Sequence, residues 1–305
     1  MKISIRISNL NQLDDVLKLN PDAVGIGSET CVYKVPEYEE IKNAFIKLEN
    51  AGIEAELITP FIPEEHLQRI TDIVKNLINE KRKFSLTVND LGLLRKLDKE
   101  VPDKKLDIYI GHVYSTSFEN CPWHEKVLSE ESDFIREGWC QNNFTNDLLL
   151  EYIKKQGVTG IEIEMLPTML NKSALFFKDR NIKTKGMIDY IPSSITRACH
   201  TARYYGALPP GECQDYCDKV INARFTHRYI PDDLEKPYEP INEELIRPLT
   251  PDYLVLGNSV CCKRECDVNK QNINNVDYIT FDFRAFKYDE LASRIAELRK
   301  IANEE

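Results

Sequence analysis

Two kinds of apolar segment alternate along the first 111 residues. Five short segments have the composition of β-strands, and the four longer ones between them have the spacing of amphipathic helices. The strand-like segments cover residues 2–7, 22–27, 53–59, 84–88 and 106–111, and the helix-like segments cover 10–19, 36–52, 63–80 and 89–100. A strand and a helix recurring about every 25–30 residues are typical of βαβ units, whose right-handed crossovers build a parallel sheet.

The rest of the chain continues this pattern less regularly. Further strands are predicted at 160–166, 182–191, 252–258 and 277–283, and further helices at 145–157 and 287–304. Nine strands in a chain of this length predict an α/β fold of the TIM-like (β/α)8-barrel type, incomplete or decorated. An open doubly wound sheet is the alternative, but no G-x-G-x-x-G follows the first strand, which disfavours a dinucleotide-binding sheet.

The domain organisation follows from the same pattern. Residues 1–305 are interpreted as a single α/β barrel domain that contains a cysteine-rich segment at 196–220. A proline-rich, acidic stretch at about 228–251 is interpreted as a surface insertion.

The charge and the amino terminus limit the partners that we expect. A formal net charge of −10 opposes binding to nucleic acid, which requires a basic face. The amino terminus lacks the apolar region of a signal peptide, and no segment approaches the roughly 18 apolar residues of a membrane span. The sequence therefore predicts a cytoplasmic protein that acts on a small molecule.

Nine cysteines are many for a cytoplasmic chain, where disulfides are not expected. Six of them form two groups, which are Cys199, Cys213 and Cys217, and Cys261, Cys262 and Cys266. Chemistry in parallel barrels collects at the carboxyl ends of the strands. Cys31, Cys199 and Cys261 each follow a predicted strand, so we expect them at one rim.

The spacing C-x13-C-x3-C offers three thiolates and requires a fourth ligand. Structural zinc sites usually combine two pairs of closely spaced ligands, of the form C-x2–4-C or H-x3–5-H. A long first gap with a remote fourth cysteine favours a [4Fe–4S] cluster instead. Zinc and unligated cysteines remain open alternatives on the spacing alone.

The stretch "SSITRACHTARYYGALPPGECQDYC" (193–217) resembles the cysteine segment of peptidase family U32, the collagenase-like family. Within that family it is similar to the UbiV-like branch of anaerobic ubiquinone biosynthesis, whose core reads S-A-R-C-x-T-A-R before R-P-x-x-x-C-x-x-x-C. "GSETC" (27–31) resembles the G-E-x-x-C-like turn that carries the remote cysteine of this branch. The gap of 13 rather than 12 residues, the "CCKREC" stretch at 261–266 and the acidic insertion depart from the pattern.

The resemblance implies a [4Fe–4S] cluster held by Cys31, Cys199, Cys213 and Cys217. It implies oxygen-independent hydroxylation together with a related U32-family subunit as a heterodimer partner, and leaves open whether this chain is itself catalytic. A peptidase-like or zinc-stabilised binding protein is one alternative. An oxygen-independent hydroxylase of tRNA or rRNA is another, disfavoured by the acidic balance.

Three residues are candidates for catalysis. Glu162 and Glu164 alternate with apolar residues, so a strand would carry both carboxylates on one face. Inside the barrel they would have to be paired or functional, whereas on an exposed strand they would simply be solvated. His112 ends the strand at 106–111 and is a candidate acid–base or substrate-binding group, with a structural role as the alternative.

Three further residues are candidates for substrate binding. Arg197 and Arg203 flank Cys199, where they would offset the charge of a cluster or hold a carboxylate, with a plain salt bridge as the alternative. Glu29 belongs to the stretch that resembles the turn before the remote cysteine.

Overall fold

The computed structural model of the chain describes residues 1–121, 123–196, 198–206, 216–223, 253–264, 266 and 268–303. Cys213, Arg197 and the predicted insertion at 228–251 lie outside the described residues, as does part of the segment at 196–220.

Twelve strands occur in the described part of the chain. They are β1 (Lys2–Ile7), β2 (Ala23–Gly27), β3 (Glu54–Thr59), β4 (Ser85–Val88), β5 (Asp107–Ile110), β6 (Gly160–Glu164), β7 (Lys183–Met187), β8 (Tyr190–Ile195), β9 (Ile221–Ala223), β10 (Tyr253–Leu256), β11 (Ser259–Lys263) and β12 (Tyr278–Asp282). Strands β1 to β7 and β12 pair in parallel and close into a barrel in which β12 lies between β7 and β1. The predicted TIM-like α/β barrel is confirmed.

Helices connect these strands. They are α1 (Leu13–Lys18), α2 (Tyr38–Asn50), α3 (Glu64–Asn79), α4 (Leu91–Glu100), α5 (His124–Val127), α6 (Asp133–Cys140), α7 (Asp147–Lys155), α8 (Leu175–Asp179), α9 (His200–Tyr204), α10 (Lys270–Ile273) and α11 (Tyr288–Asn303). In the described ranges no helix has the length and apolar character needed to cross a membrane.

The two faces of the barrel strands differ in chemistry. On β1, Ile3, Ile5 and Ile7 belong to the main apolar core. Arg6 on the same strand meets side chains of β3 and β6, which are not its neighbours in the sheet, so it projects into the barrel. Bulky aliphatic residues usually fill the interior of this fold. Here they fill the layer between strands and helices, and the interior carries charges.

The decoration is an antiparallel sheet between β7 and β12, with strand order β8-β11-β10-β9. The single strand predicted at 182–191 is wrong, because Asp189 adopts a left-handed conformation (φ 63°) that separates β7 from β8. The strand predicted at 252–258 forms as β10 but lies in this added sheet and not in the barrel. Asn258 of the added sheet bonds to Thr30 behind β2, so the sheet covers part of the carboxyl end of the barrel.

Candidate functional site

A cleft of about 470 Å³ opens at the carboxyl end of the barrel. The segments behind β3, β4 and β5 form one wall, and β8 of the added sheet forms the other. Phe61, Asp90, His112 and Thr116 lie on the first wall and Ser193 on the second. Because this is the end at which barrel enzymes bind their substrates, the cleft is the candidate binding site.

His112 and Glu164 form a buried pair beside this cleft. His112 Nε2 lies 3.0 Å from Glu164 Oε1, and both side chains are almost completely buried. Thr116 donates a hydrogen bond to the same carboxylate oxygen (3.1 Å), and the His112 backbone N–H donates to Glu162 Oε2 (2.9 Å). The imidazole is therefore held at its ring and at its backbone.

The charges around His112 determine its protonation. Burial alone would lower the pKa of His112, but the hydrogen bond and charge of Glu164 outweigh burial, and Glu29 adds to their effect. The pKa of His112 is consequently raised above its usual value although Arg6 opposes this change. The imidazolium form persists to higher pH than in an exposed histidine.

Arg6 joins the carboxylates of three strand regions inside the barrel. Its guanidinium forms ion pairs with Glu162 on β6, Glu29 behind β2 and Glu56 on β3, the last at 3.3 Å. The Arg6 and Glu162 side chains are 5% and 0% exposed, which makes these desolvated charges. Removal of the arginine would leave buried carboxylates uncompensated.

Lys185 on β7 continues this network. Its Nζ lies 2.7 Å from Glu56 Oε1, close enough for an ion pair although the geometry is not that of a hydrogen bond, and 3.8 Å from the Tyr109 ring centroid. Burial lowers the pKa of Lys185 to about 8 against the opposing charge of Glu56. The ammonium group of Lys185 and the guanidinium of Arg6 in turn lower the pKa of Glu56, overcoming the effect of burial.

The structure brings most of the predicted acidic and basic candidates together. Glu162 and Glu164 share the inner face of β6 and are buried. Of the two alternatives, carboxylates inside the barrel or carboxylates solvated on an exposed strand, the structure has the first. His112 and Glu29 contact the same network, while Arg203 lies exposed on α9. Sequence reasoning missed the inward charges Arg6, Glu56 and Lys185. The signal was the recurrence of charged residues at even spacings in "KISIRI", "EAELIT" and "KTKGM".

The cysteine-bearing segments lie behind β2 and in the insertion that follows β7, around a turn formed by Gly257 and Asn258 (the 257–258 turn). Asn258 Nδ2 donates to the carbonyls of Thr30 (2.6 Å) and Thr196 (2.9 Å), which places this turn next to the segments of Cys31 and Cys199. Gly257 has φ 69°, and a Cβ added to it would lie 3.0 Å from Cys217 Cβ.

These contacts bring three of the four predicted ligands to one region. Cys199 caps α9, where its Sγ accepts a hydrogen bond from Ala202 N (3.3 Å). Burial raises the pKa of the Cys217 thiol to about 11, while Lys34 and Arg284 act to lower it and Cys31 lies near enough to raise it further. Within the described ranges no three His, Cys, Asp or Glu side chains are grouped tightly enough to hold a metal ion. The ligand set stays a prediction.

Three other cysteines lie in or beside the added sheet or on α6. Cys261 was expected behind a barrel strand at the rim. It lies within β11 of the added sheet, buried against Leu256 and Ala285, and the charges of Asp282, Arg284 and Glu29 act on its thiol. Burial raises its pKa to about 12. Cys266 accepts a hydrogen bond from the Asp189 backbone, and Cys140 is buried at the end of α6.

Similarity to known proteins is confined to solved structures of low sequence identity. No protein-family model matches the sequence, and neither does any curated protein. Among solved structures, the chain is similar to the U32 peptidase Mk0906 at 12% identity, with 92% of each chain covered and a TM-score of 0.44. It is also similar to N-(5'-phosphoribosyl)anthranilate isomerase from Pyrococcus furiosus at 14% identity, covering 61% of this chain and 76% of that one, with a TM-score of 0.36. Likenesses of this extent assign neither family nor activity.

Proposed function

We propose that this chain is an iron–sulfur protein of peptidase family U32 that takes part in oxygen-independent hydroxylation of a small molecule, with a related subunit as partner. The single observation that carries the proposal is the meeting of three cysteine-bearing segments at the 257–258 turn. Cys31, Cys199 and Cys217 lie up to 186 positions apart in the sequence, yet their segments contact this one turn or its neighbours.

The donor set and its surroundings suit a cluster with thiolate ligands. Cys31, Cys199 and Cys217 would hold it together with Cys213, which is four positions before Cys217. Such a cluster carries negative charge, and Lys34 and Arg284 would offset this charge beside Cys217. When bound, the cluster would supply electron transfer, and the cleft would supply the binding site for the substrate.

Anaerobic reconstitution with iron and sulfide tests the proposal. We expect about four iron atoms per chain with the broad visible absorbance of a [4Fe–4S] protein. Alanine at Cys31, Cys199, Cys213 or Cys217 should abolish cluster binding. Cys140→Ala is the control and should retain the iron, because Cys140 lies on α6 in the connection between β5 and β6.

Three results would count against the proposal. Iron bound equally well by all four variants would exclude these cysteines as ligands. Binding of zinc without sulfide would favour the zinc-stabilised alternative. Co-purification of tRNA or rRNA would favour the RNA-modifying alternative, which the net charge of −10 disfavours.

A further inference from the structure

Two buried polar atoms beside the cleft have no hydrogen-bond partner among the described residues. They are His112 Nδ1 and Glu164 Oε2. The residues that carry them are 3% and 0% exposed. An unpaired buried polar atom is costly, so its presence in a folded protein calls for a water or a ligand that completes it.

The unpaired atoms belong to side chains that are otherwise fixed. His112 Nε2 and Thr116 Oγ1 both engage Glu164 Oε1, which leaves Oε2 as the remaining acceptor of that carboxylate. The hydrogen bond from the His112 backbone N–H to the Glu162 carboxylate fixes the backbone of the histidine, and Arg6 forms an ion pair with Glu162. The pair is therefore positioned in advance, as an acid–base group requires.

We propose that His112 and Glu164 form an acid–base pair that exchanges a proton with an oxygen atom of an uncharged small molecule bound in the cleft. The cleft favours an uncharged ligand, because none of the described residues that line it is lysine or arginine. Asp90, the carboxylate on its wall, already accepts hydrogen bonds from Leu93 N (2.8 Å) and Ile62 N (2.9 Å). Hydroxyl, amide and apolar groups remain for contact with the ligand.

The proton transfer balances without any further reactant. The N–H bond of the imidazolium breaks, its electron pair stays on the nitrogen, and an O–H bond forms on the ligand. The reverse step returns the proton to the ring. Glu164 on β6 and Glu29 behind β2 face His112 and favour its charged form, while Arg6 on β1 and burial disfavour it. The carboxylates prevail, so the imidazolium form, which can donate the proton, persists to higher pH than in an exposed histidine.

Binding of 4-nitrophenol tests this pair, because the colour of the probe reports whether its oxygen is protonated. We expect saturable binding in which the bound probe remains the phenol at a pH where the free probe is already largely the phenolate. Because the chain has five histidines, their ring signals can be followed individually by NMR. Those of His112 should shift on binding.

Substitution of each member of the pair tests its part in binding the probe. His112→Gln should weaken binding of 4-nitrophenol at least about 10-fold, the loss typical of a charged hydrogen bond. Glu164→Gln should return the pH at which the bound probe ionises towards that of the free probe. His124→Gln is the control, since this ring bonds to the Cys121 carbonyl and is not among the cleft residues.

The His112–Glu164 pair does not depend on the proposed cluster, and separate measurements test the two proposals. His112→Gln should bind as much iron as the wild type, and Cys217→Ala should still bind 4-nitrophenol. Absence of saturable binding, equal affinity in His112→Gln, or unshifted His112 signals in the wild type would overturn the acid–base pair. The wild-type signals decide the question if His112→Gln does not fold.

Discussion

The two sides of the barrel mouth are built in different ways. On the cleft side, His112 and Glu164 lie at the ends of two neighbouring barrel strands, β5 and β6. On the cysteine side, Cys199 and Cys217 lie in the insertion between β7 and β12, and only Cys31 directly follows a barrel strand. The barrel thus positions acid–base groups with its regular strands, whereas the thiols depend on an added sheet. We expect changes on one side to leave the chemistry of the other intact.

Arg6 contacts groups on both sides. Its guanidinium pairs with Glu162, which holds the backbone of His112, and with Glu29, two positions before Cys31. Arg6→Met should therefore disturb both sides together. We expect a loss of about 3–5 kcal/mol in the free energy of unfolding, because buried carboxylates lose their counter-charge. Denaturant unfolding measures this loss.

Lys2→Met is the matched control on the same strand. Lys2 pairs with Glu54 at the surface, where each side chain is 48% exposed. Such pairs contribute about 0–1 kcal/mol, so this variant should unfold almost like the wild type. Equal losses of unfolding free energy in Arg6→Met and Lys2→Met would show that the buried ion pairs of Arg6 stabilise the fold no more than a surface ion pair.

Gly257→Ala should affect the cysteine side alone. The residue has φ 69°, and its new Cβ would meet Cys217 Cβ at 3.0 Å. Gly52→Ala imposes a similar backbone strain (φ 72°), but nothing lies within 4 Å of its Cβ position. Both variants should lose about 1 kcal/mol of stability. Iron content after reconstitution should fall only in Gly257→Ala. An equal iron content in the two variants would argue against Cys217 as a ligand of the cluster.

The pH dependence of stability should distinguish the cleft side. His112 has a raised pKa in the folded protein, so its contribution is fully present below the pKa of the unfolded chain and is lost as pH rises through the folded pKa. The difference in free energy of unfolding between the wild type and Glu164→Gln should therefore shrink as the pH rises above about 6.5, the usual pKa of histidine in an unfolded chain. Unfolding at a series of pH values measures it, and a constant difference would contradict the pairing.

Local patterns predicted the barrel because the spacing of apolar residues differs between strands and helices and can be recognised within each element. They failed at Asp189, because aspartate tolerates the left-handed conformation without any signal in the surrounding composition. The strand at 252–258 was located in the sequence but assigned to the wrong sheet, since pairing partners are not a local property.

The candidate site divides in the same manner. Alternation along one strand placed Glu162 and Glu164 on a shared face, and the same rule applied to β1, β3 and β7 would have found Arg6, Glu56 and Lys185. The pairing of His112 with Glu164 depends on which strands are neighbours and on their register, in which Ile110 faces Ile161. The approach of Cys217 to Gly257 depends on the path of the insertion, which no short stretch of sequence encodes.

Diffraction at the iron absorption edge, from crystals of the anaerobically reconstituted protein, tests the central claim most directly. We predict one anomalous peak on the cysteine side of the mouth, beside the 257–258 turn and within bonding distance of Cys31, Cys199 and Cys217. A peak at Cys262 and Cys266, or iron loading with no peak beside this turn, would contradict the account.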